Sequence, residues 1–427
     1  MRKGDGFTAG FDYLRIGLAL AVLVWHSDLL STGSAFLYRA AWSGPFRFLL
    51  AAILPMFFAL SGFLVAGSLA RTRLHQFVAL RALRLIPALA VEVMLSALVL
   101  GAFFTTLPLR DYLTNRELGS YLGNIVGLMH FTLPGVFEHN PAARVVNSQL
   151  WTVPFELECY LSLVLLSLST VLRDRRAFVA LVVLLSLVAT AWALFLDPVS
   201  PIEHIPGGAL VVSFLAGVSL HLYRERIPCS LALGVVAGLV AAVLLQLPNA
   251  CYLAAFPVAY LTIWLGLMRP PKIPFGDLSY GVYLFHFPIE QSIMQVFPGV
   301  ACWWQLTLIA LPPSALCAWL SWNLVEHPVL SRRKHVLAAA DRAYAALAHR
   351  SRSRRETADE RAGRHRGPPP HPAILNDRLR SRRVQRIWII LARPSARRPA
   401  PLATTSADRA LRRSAHARQY ARARGPS

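Results

Sequence analysis

A histidine, an arginine and an aspartate sit in a stretch whose other residues suit a lipid interior. In FDYLRIGLALAVLVWH (11–26), Asp12, Arg15 and His26 interrupt an apolar run. Positions 12, 15, 19, 22 and 26 advance by three and four, so a helix carries the three groups on one stripe, with Ala19 and Val22 between them. Arg15 and His26 then lie about 16 Å apart along the axis, at a rise of 1.5 Å per residue. Charged groups inside a span cost about 2.5–3.5 kcal/mol on insertion scales, so they face a bundle interior or a wet cavity. Imidazole titrates near neutrality, which makes His26 a candidate general base. The plainer alternative is a polar cluster that ties helices together.

Four further stretches carry candidate groups. FFALSGFLV (57–65) places Ser61 beside Gly62, either as a reacting group or as a small-residue helix contact. FVALRALRLIPAL (77–89) sets Arg81 and Arg84 one turn apart. Two guanidinium forks on one face match phosphate oxygens, while simple cytoplasmic anchoring explains the same residues less specifically. SQLWTVPFELECYL (148–161) offers Trp151, Glu156 and Tyr160, with Glu156 able to bind a hydroxyl or assist proton transfer. GDLSYGVYLFHFPI (276–289) puts Ser279, Tyr283 and His286 on one helical face. Ser279 and His286 are about 10.5 Å apart on a straight helix, too far for a nucleophile and its base, so all three read as pocket lining. NLVEHP (323–328) reads as a helix end.

The elements that must hold these groups follow from composition. Of 427 residues, 55% are hydrophobic and 15% charged, with a mean hydropathy of +0.46, which points to an all-α polytopic membrane protein. About ten apolar runs are long enough to span a bilayer, roughly at 12–30, 46–69, 84–107, 150–172, 177–196, 207–222, 229–247, 250–268, 279–298 and 303–325. Alternate connections carry Arg71 and Arg73, then Arg173, Arg175 and Arg176, then Arg224 and Arg226, then Arg269 and Lys272, then Arg332, Arg333 and Lys334. Turns near 197–206, 247–250 and 299–302 carry no Lys or Arg, so both termini are expected in the cytoplasm. The connection 108–149 then lies outside, and its semi-apolar part around 118–134 is expected to form a re-entrant or interfacial helix over a site mouth. A signal peptide over the first span is disfavoured, because Asp12 and Arg15 fall where such a segment is purely apolar.

The net charge of +22 is localised. Residues 331–427 hold 25 of the 44 Lys and Arg and 6 of the 22 acids, about +19, which leaves +3 on residues 1–330. Nucleic-acid binding is not implied. The chain divides into a transmembrane domain, 1–330, and an Arg- and Pro-rich cytoplasmic tail, 331–427, expected to be disordered and to touch anionic lipid. Cys159, Cys229, Cys251, Cys302 and Cys317 are scattered, without disulfide or metal spacing.

Taken in order across about residues 7–330, the five motifs resemble the membrane acyltransferase 3 family. The resemblance implies transfer of an acyl group, chiefly acetyl, from cytoplasmic acyl-CoA to a hydroxyl of a carbohydrate-type acceptor at the outer face of the cell (inner) membrane. It assigns His26 as the essential histidine with Arg15 and Asp12 beside it, and Arg81 and Arg84 as holders of the acyl-CoA phosphates. Trp151, Tyr160, Ser61, Ser279, Tyr283 and His286 would line the substrate pocket. Many members carry two adjacent acids where this chain reads Glu156–Leu157–Glu158, so only Glu156 carries over. No metal and no obligate protein partner are expected, and the tail lacks the pattern of the esterase-like domain fused to some relatives. A proton-coupled transporter with Asp12, Arg15, His26 and Glu156 as a relay is the rival reading; it calls for an internal duplication that the sequence does not display.

Overall fold

The computed structural model describes residues 9–32, 40–169, 171–195, 205–274 and 276–346, all within the unit Met1–Ala348. These residues are helical throughout, apart from loops and one isolated bridge between Thr132 and Val145. The principal helices are α1 (Ala9–Thr32), α2 (Arg47–Leu69), α3 (Leu74–Leu95), α4 (Val153–Leu168), α5 (Arg175–Phe195), α6 (Gly207–Tyr223), α7 (Leu231–Gln246), α8 (Ala255–Gly266), α9 (Ser279–Val296) and α10 (Trp303–Ser321). Each falls within or close to one of the expected apolar runs. By length and composition, six segments qualify to cross a membrane: those built on α1, α2, α3, α4, α5 and α10. Helices α6, α7 and α8 are shorter apolar helices, and α9 carries buried His286, Glu290 and Gln291.

Exposure is inverted relative to a water-soluble protein. Val183, Leu184, Leu187 and Val188 on α5, and Val235, Val236, Leu239 and Val243 on α7, all face outward, with Leu239 64% exposed. Such a continuous apolar exterior belongs against hydrocarbon. Inside, α2 and α6 form the tightest pair. A Cβ on Gly62 would collide with the Phe214 carbonyl, and one on Gly217 would collide with the Ala59 carbonyl. Packing of small residues lets the two backbones touch, as in lipid-embedded bundles.

Two helices change pitch. After α3, residues Ser96–Leu100 form a π-turn before the helix resumes at Gly101–Phe104; after α10, Trp322–Glu326 form another, followed by His327–Ser331. The long connection does not form the expected single re-entrant helix. It contains short helices Leu109–Thr114 and Arg116–Leu122, a 3₁₀ turn Gly123–Val126 and an irregular return. Tyr112 donates to the Ala97 carbonyl at 2.5 Å, and buried Tyr121 packs in the same cluster, which fastens this connection to the end of α3. Asn140 donates to the Gln291 carbonyl at 2.8 Å, and Gln291 donates back to the Ala142 and Val145 carbonyls at 2.8 and 2.5 Å, so α9 holds its far end.

The boundary expected at 330 is not a structural break. Residues 333–346 are helical. Their Asp341 accepts from His75 at 2.6 Å and from Gln76 at 3.0 Å, and Tyr344 stacks on His75 with ring centroids 4.6 Å apart. Six alanines between 338 and 346 give this stretch helix propensity that a reading of bulk charge overlooks. From residue 347 onward, the tail expected to be disordered lies outside the described residues.

Candidate active site

The heptad-like stripe of α2 organises the site. Leu50, Ile53 and Leu54 line one chamber, and Leu54, Phe57, Phe58 and Ser61 line a second, so Leu54 belongs to both. The segment 148–160, which leads into and begins α4, is ordered the same way, as a parallel neighbour must be. Ser148, Gln149, Trp151 and Phe155 face the first chamber, and Thr152, Val153, Glu156 and Tyr160 the second. Helix α1 gives Trp25, His26 and Leu29 to the first and Arg15 to the second. Tyr283 of α9 is the other residue common to both. The motifs therefore converge, but on two adjoining chambers. Ser61 lines its chamber while Gly62 makes the α6 contact.

The arginine chamber is dominated by an ion network. Arg84 pairs with Asp277 and, at 3.4 Å, with Glu326, and its guanidinium lies 5.9 Å from the Trp322 ring. Arg15 reaches the same Asp277 at 3.1 Å and Asp12 at 3.8 Å. Ser279 donates to the other Asp277 oxygen at 2.5 Å. These charges satisfy one another. Arg81 differs: it lines the chamber, lies 5.9 Å over the Phe77 ring, and makes no hydrogen bond or ion pair with any described residue. Tyr160 donates to Glu156, and both face this chamber. A cation in this setting, facing Glu156 but in no ion pair among the described residues, and beside an apolar cavity, suits an anionic ligand with a hydrocarbon or thioester arm.

The histidine chamber contains a hydrogen-bonded chain. His286 Nδ1 lies 3.0 Å from the Val282 carbonyl, and His286 Nε2 lies 2.8 Å from His26 Nδ1. A carbonyl can only accept, so His286 Nδ1 carries a proton, and in the neutral ring Nε2 then accepts. His26 must therefore donate from Nδ1, which leaves the lone pair on His26 Nε2. The rings stack with centroids 5.1 Å apart, and the edge of Phe287 closes the other side of His26 at 5.1 Å. Beneath them Ser27 donates to Glu290 at 2.7 Å, tying α1 to α9 a second time.

Several site residues stand elsewhere than the sequence suggested. Arg15 is bonded to Asp277 and lines the arginine chamber, so it does not support His26 directly. Glu156 lines the arginine chamber with Arg81 and Arg84, about one turn beyond Trp151, which lines the histidine chamber. His286 is the partner of His26 rather than plain lining. Ser279 and His286 share no bond. Asp277, Glu326 and Glu290 were not singled out from sequence; the available signal was an unpaired acid in or beside an apolar span, each needing a partner. Among the described residues no three His, Cys, Asp or Glu side chains group as a metal site would require.

The model of the family described as "Acyltransferase domain", Acyl_transf_3, matches residues 8–323, the span that contains both chambers. The chain is 28% identical over 360 residues to Nodulation protein 10 of Rhizobium leguminosarum bv. viciae, covering 78% of this chain and 96% of that protein. It is 24% identical over 357 residues to the O-acetyl transferase of Shigella phage Sf6, covering 75% of this chain and 96% of the relative. No solved structure matches. With the family model spanning the whole helical bundle, the chain belongs to the acyltransferase 3 family of membrane acyltransferases.

Proposed function

We propose that this enzyme is an O-acetyltransferase that takes an acyl group from acyl-CoA on the cytoplasmic side and delivers it to a hydroxyl of a carbohydrate-type acceptor at the outer face of the cell membrane, with both termini cytoplasmic. The observation that carries the reading is the pairing of a lone pair on His26 Nε2 with an uncommitted Arg81 in an adjoining chamber. Arg81 binds donor phosphate. Arg84, held by Asp277 and Glu326, fixes the helix that presents it. The apolar walls of Phe57 and Phe58 lead the thioester toward Leu54 and Tyr283.

At His26, Nε2 accepts the proton of the acceptor hydroxyl as its oxygen attacks the thioester carbon. The new C–O bond forms, the C–S bond breaks, and the proton passes to the leaving thiolate. His286 fixes the tautomer that makes this possible. The alternation of basic loops supports the orientation, and similarity to a protein named O-acetyl transferase supports acetyl and oxygen as the transferred group and acceptor atom. The test uses membranes of cells expressing the chain, supplied with labelled acetyl-CoA. Label should enter surface glycan and be lost with His26→Ala; incorporation that persists in that variant overturns the reading.

A further inference from the structure

Among the described residues Leu54 and Tyr283 line both chambers, so they stand where the two adjoin, between Arg81 and His26. The two sides of this passage differ in kind. Tyr283 is fixed: its hydroxyl donates to the Gln149 carbonyl at 2.9 Å and lies 2.6 Å from Thr152 Oγ1, and its ring meets Phe57 edge-on at 6.0 Å. Leu54 has only packing to hold it. It precedes Pro55, which has no N–H to give the Ala51 carbonyl, so the turn of α2 at this level lacks one backbone bond.

We propose that Leu54, closing against the anchored Tyr283, sets the length of the acyl group that can be transferred and restricts the enzyme to short acyl thioesters of about acetyl size. The inference rests on the proposed donor path. For the thioester carbon to meet a hydroxyl held at His26 Nε2, sulfur must trail toward Arg81 and oxygen must approach from the His26 chamber. The alkyl chain then has to lie sideways in the passage, against Leu54. Each extra methylene in a closed apolar slot changes discrimination about 10- to 200-fold. Leu→Ala removes three carbons, enough for the two by which butyryl exceeds acetyl.

The experiment supplies membrane vesicles, from source cells carrying each variant, with equal concentrations of acetyl-CoA and butyryl-CoA. Mass spectrometry reads the ratio of butyryl to acetyl on the vesicle glycans, normalised to membrane abundance of the protein. Leu54→Ala should raise that ratio about tenfold or more, and Leu54→Phe should lower it. If packing loss reduces the abundance of Leu54→Ala, the opposite shift in Leu54→Phe still carries the test. A wild-type protein that transfers acetyl, with both variants within twofold of its ratio, overturns the inference and leaves the proposed function standing. A wild-type protein that transfers neither acyl group overturns the proposed function, and this inference with it.

Discussion

The arginine chamber and the histidine chamber are built on the same plan from opposite chemistry. In the first, Asp12, Arg15, Arg84, Asp277 and Glu326 are ionic and pair among themselves, and Arg81 is left over. In the second, Val282, His286 and His26 form a chain of donors into acceptors, and one nitrogen lone pair is left over. A buried polar group is stable only when its partners are present, so a site that must bind or react keeps most of its groups satisfied and leaves one open. On the proposed function, the open group marks what each chamber takes: an anion in one, a proton in the other.

That contrast can be broken from either end. The largest effect is expected from His26→Ala, a fall in transfer of at least a hundredfold at unchanged membrane abundance, read as glycan acylation per molecule. Activity above a few per cent would remove His26 from the proton-transfer role. Next, His286→Phe should lower kcat on the order of a hundredfold with little change in KM, because His26 loses the acceptor that sets its tautomer. His286→Gln, whose side-chain carbonyl can accept from His26, should recover part of that loss; equal loss in both variants would reduce His286 to packing.

The arginines should separate by kind of damage. Arg84→Ala removes the cation from Glu326 and leaves Asp277 with Arg15 alone, and breaking a buried pair costs about 3–5 kcal/mol, so reduced abundance and thermal stability are expected. Arg81→Ala should leave abundance intact and raise KM for acetyl-CoA about tenfold, with Lys restoring part of it, since a point charge replaces a fork incompletely. Identical phenotypes at the two positions would erase the distinction. The smallest effect belongs to removal of residues 347–427, which should leave activity per molecule within about twofold, since the family match ends at residue 323. Cutting at 340 instead removes Asp341 and Tyr344 from His75 and Gln76, and abundance should fall measurably.

Much of the bundle was legible because a 3.6-residue period and apolar length are local properties of a chain. The stripe Asp12, Arg15, His26 was read correctly as a helical face, yet its members serve different chambers. Three turns of helix cross from one to the other, and a wheel projection discards that height. The His26–His286 bond joins residues 260 apart in sequence and depends on how α1 meets α9, which no local pattern encodes. Asp277 and Glu326 were hidden by their surroundings, one in a loop and one at what looked like a helix end.

Glu326 owes its place beside Arg84 to the π-turn at Trp322–Glu326. A π-turn holds one more residue than a regular turn of helix, and that surplus rotates everything after it by about 100°. The same sequence wound as an ordinary helix would leave hydropathy and charge untouched and swing the carboxylate out of reach. The position of Glu326 is therefore under a constraint that composition does not reveal: pitch here works as a clock, and regularising the turn without losing a residue would stop it.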